Sequence, residues 1–259
     1  MPFRTDDPHA FVTHTFSECV ENHAGMQKIG TKRKRGFEQT HLEACHEKHG
    51  GVLHHLQHED DSAVVWVIPN GVNKLMGANG ADALHAESLA QPFDTRYYDA
   101  KKKKVFTKHG RQNNCYADEA QAPDVDQGKG TVIAFDTAPQ MQELRAKLPT
   151  LLGDEAKGLY AETNLYTDVR KREVGIGFHG DTERSLVVGV RLGQGQLPLR
   201  FCWHHETLGV GNEYVIELAH GDIYAMSHKA TGHDWKRRKV PTLRHGVGRK
   251  AIVKRERKK

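Results

Sequence analysis

The stretch Val174-Gly-Ile-Gly-Phe-His-Gly-Asp-Thr-Glu-Arg184 reads as a short strand over 174–178 that delivers His179 and Asp181 to its end. Side chains two residues apart on an extended chain point the same way, so an imidazole and a carboxylate leave this turn together, as two metal ligands would. Gly175, Gly177 and Gly180 leave the backbone uncrowded. In a chain with 18 His, an H-x-D pair alone is a weak signal; its weight comes from the surroundings. Outward from it, short apolar segments recur at 161–167, 186–192, 199–204, 213–218, 222–226, 242–245 and 251–255, separated by Gly-rich turns. Helices followed by such a run of strands predict an α+β fold with a β-sandwich or barrel as its core.

A length of 259 residues, 37% hydrophobic, suffices for one sizeable core without a second domain. The net charge of +5 favours an anionic partner without requiring one. Cys19, Cys45, Cys115 and Cys202 show no paired spacing, which points to a reducing compartment and no disulfide framework. No apolar run approaches the roughly 20 residues of a membrane span, and the N-terminus lacks the apolar core of a signal peptide. An intracellular monomer, cytoplasmic or nuclear, is therefore expected.

Residues 1–60 are polar, His-rich and poor in apolar periodicity, so they are expected to form a loosely ordered, partly disordered extension ahead of a single domain over 61–259. Within them Lys32-Arg-Lys-Arg35 reads as a solvated basic run, with a nuclear address or a nucleic-acid patch as the sharper alternative. Cys19 and His23, followed by His41 and Cys45, are zinc-ligand types at spacings unlike the usual finger, and ordinary surface His and Cys are the plainer reading. Segment 63–68 is a β-branched strand that ends at the Pro69-Asn-Gly71 turn, and 72–89 reads as a helix weakened by Gly77 and Gly80. Cations alternate with rings over 96–106, which suits a nucleic-acid strand or, equally, an edge hairpin with solvated lysines. A strand over 130–135 precedes a helix opened by Asp136 and Pro139, whose Met141, Leu144 and Leu148 share one face.

Taken together, Asn164-Leu-Tyr166, Ile176-Gly-x-His179-x-Asp181-x-Glu183-Arg184, Leu218-x-His220-Gly-Asp222 before a strand ending Met226-Ser227, and Arg249-x5-Arg255 resemble the AlkB-like family of Fe(II)- and 2-oxoglutarate-dependent dioxygenases, over about residues 110–259. The resemblance implies a double-stranded β-helix, a jelly roll whose mouth holds the iron, with supporting helices. It implies His179 and Asp181 as ligands of a 2-His-1-carboxylate site, which leaves three positions for cosubstrate and dioxygen. Asn164 and Tyr166 would hydrogen-bond the 2-oxoglutarate, and a terminal Arg would clamp its distal carboxylate through two parallel bonds. For the third ligand, His245 lies on a plausible strand with Arg255 ten residues on, whereas His233 has the AlkB-like spacing to Arg249. A strand holds a ligand better than a Gly/Lys-rich loop, so His245 is preferred, with Arg255 as clamp, Arg249 secondary and His233 as the alternative.

Arg111, Asn114 and Asp118 sit where the family has a lid over its target nucleotide. Trp66 and Trp203 read as core, His204, His205 and His220 as satisfied or exposed, and Glu183-Arg184 as an ion pair near the mouth. The function expected from the resemblance is oxidative hydroxylation or demethylation of alkylated bases in DNA or RNA. The same chemistry on a protein side chain or small molecule is the alternative, and a nucleic-acid-binding protein with an inactive core is a third.

Overall fold

The computed structural model describes residues 6–248. In chain order the elements are β1 (Phe11–Ser17), β2 (Cys19–Glu21), β3 (Lys28–Gly30), α1 (Gln39–His49), β4 (Val52–His58), β5 (Asp61–Ile68), α2 (Gly71–Met76), α3 (Gly80–Ala90), β6 (Arg96–Asp99), β7 (Lys104–Thr107) and β8 (Gln112–Ala117). There follow β9 (Val132–Ala134), α4 (Pro139–Leu152), β10 (Tyr160–Tyr166), β11 (Ile176–His179), β12 (Val187–Leu192), β13 (Leu199–His205), β14 (Leu208–Ile216), β15 (Ile223–Met226) and β16 (Thr242–Val247). The class is α+β, built on two large sheets. One runs β4-β5-β15-β12-β1-β10-β8-β9 and the other β11-β16-β13-β14; every pairing is antiparallel except β8 with β9.

The period-two alternation of β5 shows why the layers form. Val64, Trp66 and Ile68 join Val12, Phe16, Leu42, Leu84, Met141 and Leu148 in the core between the eight-stranded sheet and the helices. Ala63, Val65 and Val67 face the other way and pack with Phe201, Trp203 and Leu243 of the four-stranded sheet. Both faces of β5 are therefore dry, which is why it reads as an unbroken apolar run. The cavity described below lies between the two sheets.

Two expectations need correction, and one alternative falls away. The first concerns residues 1–60: within them β1 is a central strand, paired to β10 on one side and β12 on the other, with Phe11, Val12 and Phe16 fully buried. Its few apolar residues are diluted in sequence by the polar loop and helix α1 that follow, so average composition hides a core strand. Second, the helix expected over 72–89 is two helices, because the chain breaks at Gly77, whose φ is 96°, a left-handed value that favours glycine. The zinc alternative at Cys19, His23, His41 and Cys45 is not met: Cys19 is buried, the His23 ring lies against Tyr97, and the one three-ligand cluster among the described residues lies elsewhere. The strand expected over 251–255 lies outside the described residues.

The helix-facing side of β1 also buries His14. Its Nδ1 bonds Thr163 Oγ1 at 2.8 Å and its Nε2 bonds Ser88 Oγ at 2.9 Å. Burial, and then His85, pull its pKa down to about 3. The folded state therefore resists a proton that the unfolded chain accepts near pH 6.5, so the neutral ring's contribution is present above pH 6.5 and is lost as pH falls towards 3. Between pH 6.5 and 4 this single group should cost about 3 kcal/mol of stability. Over that range the native protein should accordingly lose that much unfolding free energy relative to His14→Gln in urea titrations; a difference independent of pH would refute the assignment.

Candidate metal centre

Strand β11 ends on His179, and β11 pairs with β16 so that His179 stands opposite His245. Antiparallel pairing puts directly opposed residues on one face, and the two imidazole centroids lie 4.5 Å apart. Asp181 completes the group: its Oδ1 lies 3.7 Å from His179 Nε2 and 3.7 Å from His245 Nε2. One ligand atom from each residue falls within 4.8 Å of the others. The turn is held tightly. Asp181 N donates to Thr231 O at 2.9 Å, and a Cβ on Gly180 would sit 2.1 Å from Gly232 O, so only glycine lets the 179–181 turn close onto the 231–235 loop. His179 Nδ1 lies 2.9 Å from Gly177 O; donation there leaves the Nε2 lone pair directed at Asp181.

The electrostatics suit a cation. Burial, opposed by Arg184 but reinforced by Glu183 and Glu162, pushes Asp181 up to about 7. Burial also pulls His179 down, and pulls His245 well down with help from His179 and Arg184. Two neutral imidazoles and a carboxylate short of compensating charge are the donors a divalent metal would satisfy: a bound dication would hold Asp181 ionised and keep both imidazoles neutral. The group could therefore hold a metal.

A cavity of about 760 Å³ opens onto these three residues and is also lined by Thr13, Arg111, Asn164, Tyr166 and Tyr224. Arg184, 5% exposed, ties its floor together. Its Nη2 lies 2.7 Å from Glu162 Oε2 and 2.8 Å from Glu183 Oε1, and its Nε lies 3.9 Å from Asp181 Oδ2. Arg111 donates to Asn164 Oδ1 and lies 3.7 Å from Glu162. Tyr224 reaches the cavity because Gly189 lies under it: a Cβ there would meet the Tyr224 Cζ at 1.9 Å.

Of the residues singled out in sequence, His179, Asp181, His245, Asn164, Tyr166 and Arg111 thus share one cavity. His233 does not join the cluster: its ring stacks on His228 with centroids 3.7 Å apart, and its Nδ1 lies 2.9 Å from His228 O. Asn114 and Asp118 are likewise elsewhere. Asn114, fully buried, donates to Pro92 O, and Asp118 pairs with Arg145 at 2.5 Å. Strand alternation accounts for Asn114, since Asn113 and Asn114 must face opposite sides of β8. Arg249 and Arg255 lie outside the described residues.

Trp66 and Trp203 are core, Glu183 and Arg184 form their ion pair, and His220 accepts from Gly193 N at 2.8 Å. In the basic run, Lys32 donates to Thr182 O and Arg33 to Glu155 O, so two of its cations tie the loop to the core. Sequence reasoning missed Thr13, Glu162 and Tyr224. Each sits at an alternate position of a strand whose cavity-facing side only the pairing reveals.

No helix among the described residues is long and apolar enough to cross a membrane. No protein-family model matches the chain. It is 36% identical over 261 residues to "Uncharacterized protein R156" of Acanthamoeba polyphaga mimivirus, an alignment that takes in 94% of this chain and 97% of the relative. At that identity, over nearly the full length of both, the chain belongs to the same family as the mimivirus protein.

Proposed function

We propose that this chain is an Fe(II)- and 2-oxoglutarate-dependent dioxygenase of the AlkB-like type, built on a double-stranded β-helix, which oxidises alkylated bases in nucleic acid. The observation that carries the reading is the meeting of His179, Asp181 and His245 in one cavity with Asn164 and Tyr166. Two imidazoles and one carboxylate are the donor set that non-haem Fe(II) oxygenases use. Two facing sheets with the cluster between them support a jelly-roll core.

When bound, iron, 2-oxoglutarate and dioxygen supply a two-electron oxidation that hydroxylates a C–H bond and leaves succinate and carbon dioxide; an N-hydroxymethyl base then loses formaldehyde. The chain's own residues prepare the site for it. Gly177 O fixes the His179 tautomer, and the Thr231 carbonyl and the close packing at Gly180 hold Asp181 in line. Apolar Leu199, Val187 and Met226 on the cavity wall limit water.

The substrate class rests on the rim. Lys28, Lys101 and Lys236 line the cavity along with Trp235 and His23, and the net charge is +5. A cationic margin draws a polyanionic strand, and rings at the mouth can stack an unpaired base. The hairpin of β6 and β7 carries Lys101, Lys102 and Lys103 at its turn, and Tyr97 of that hairpin holds the His23 ring at 3.7 Å between centroids.

Succinate release measured with and without added Fe(II) and 2-oxoglutarate tests the chemistry: turnover should require both and vanish in His179→Ala and Asp181→Ala. Methylated oligonucleotide should stimulate that turnover, and unmodified oligonucleotide or protein extract should not. Stimulation by protein extract alone would transfer the chemistry to a protein side chain. Oligonucleotide binding without any turnover would reduce the chain to a binding protein.

A further inference from the structure

Arg191 is a buried cation on the major sheet. It lies on β12 directly opposite Thr13 of β1, so its side chain shares a sheet face with Thr13, which lines the cavity. The residue is 3% exposed. Its guanidinium carbon lies 3.2 Å from the Phe11 ring centroid, and Phe11 stacks on Tyr166 at 4.2 Å. One Nη2 hydrogen bond goes to the Gly195 carbonyl. The Nε is buried without a partner, and Arg191 makes no ion pair among the described residues, unlike Arg184, which has three carboxylates within 4.0 Å.

Burial pulls the Arg191 pKa down to about 9, against the pull of Tyr166, Tyr224 and the more distant carboxylates of Glu217 and Asp222; it remains a cation at neutral pH. A buried cation with no carboxylate in direct contact is unfavourable, and its planar fork matches a carboxylate through two parallel bonds. The two tyrosines supply further donors. Burial raises Tyr166 to about 12 and raises Tyr224 as well, so both hydroxyls stay protonated. Tyr166 and Tyr224 line the cavity that holds the metal cluster, and Phe11 touches both the Tyr166 ring and the Arg191 guanidinium, so a ligand lying along the two tyrosines runs from the cluster towards Arg191.

We infer that Arg191, assisted by the hydroxyls of Tyr166, Tyr224 and Thr13, binds the remote carboxylate of a dicarboxylic acid whose other end reaches His179, Asp181 and His245. Only the identity of that acid as 2-oxoglutarate rests on the function proposed above. The assignment departs from the expectation that Arg255, with Arg249, is the clamp, and it makes an internal strand of the major sheet the anchor of the cosubstrate.

The full chain loaded with Mn(II) can be titrated calorimetrically with 2-oxoglutarate and with 2-oxobutanoate, which lacks the remote carboxylate. The native protein should prefer 2-oxoglutarate by at least about thirtyfold, as two charge-assisted hydrogen bonds allow. Arg191→Met should erase that preference while its Mn(II) affinity stays native, and Arg191→Lys should restore part of it. Without ligand, Arg191→Met should melt at or above the native temperature, because it removes an unpaired buried charge. A sharp fall in melting temperature would mean that Arg191 is structural and would overturn the site. So would a preference that survives in Arg191→Met but disappears in Arg255→Met. The two readings can fail separately. Normal 2-oxoglutarate turnover by Arg191→Met would sink the anion site alone. Arg191-dependent binding of glutarate by a protein that takes up no metal would sink the dioxygenase reading alone.

Discussion

His245→Ala should abolish stoichiometric binding of Fe(II) or Co(II), while His233→Ala should leave it intact. The two histidines are twelve positions apart on either side of a lysine-rich loop, and either could complete the triad on spacing alone. They differ in what they face. His245 Nε2 lies 3.7 Å from the same Asp181 oxygen that His179 approaches, whereas His233 is stacked on His228 and bonded to its carbonyl. Loss of one of three protein ligands should weaken the metal by more than about a hundredfold, since outer-shell partners alone account for about 10–100-fold. His233→Ala removes the ring by which the 231–235 loop stacks on His228, so its effect should be on thermal stability. Equilibrium dialysis, or the visible absorbance of bound Co(II), reads the difference directly. Retained binding in His245→Ala together with loss in His233→Ala would reverse the assignment.

The choice was open in sequence for a physical reason. That 242–245 is extended follows from local chemistry; that β16 lies beside β11, with His245 in register with His179, is a long-range pairing that no local signal encodes. The same division runs through the molecule. The H-x-D turn, the double-faced run of β5 and the apolar stripe of α4 are local patterns, and the structure has them where they were expected. Arg191 and Tyr224 were not legible, because each looks like an ordinary strand residue until the sheet order brings β12 between β1 and β15. Asn114 failed for a different reason: strand alternation turns it away from the cavity, and its side chain bonds Pro92 O instead.

The N-terminal segment offers the second large effect. If residues 1–60 were a loose extension, a chain beginning at residue 61 would fold and bind metal normally. With β1 between β10 and β12, such a chain should give no cooperative unfolding transition at all. Its absence would leave the pairing edges of β10 and β12 open in the middle of the eight-stranded sheet, and an unpaired backbone there has no solvent to replace its bonds. It would also remove Glu18, which accepts from Ser185 N and Leu186 N at 2.7 and 3.1 Å and so holds the segment leading from the Asp181 turn into β12. A milder probe separates strand from fold. Phe16→Ala, at a fully buried position, should cost about 3–5 kcal/mol, a large share of the roughly 5–15 kcal/mol available to a domain. Chemical denaturation of that variant, with circular dichroism of the 61–259 chain, gives both readouts. A folded, metal-binding 61–259 fragment would show that β1 is dispensable, and Thr13 with it, which would remove one wall of the proposed carboxylate site. An unfolded fragment alongside a destabilised but metal-competent Phe16→Ala would instead make β1 the strand on which sheet, cavity and metal turn all depend.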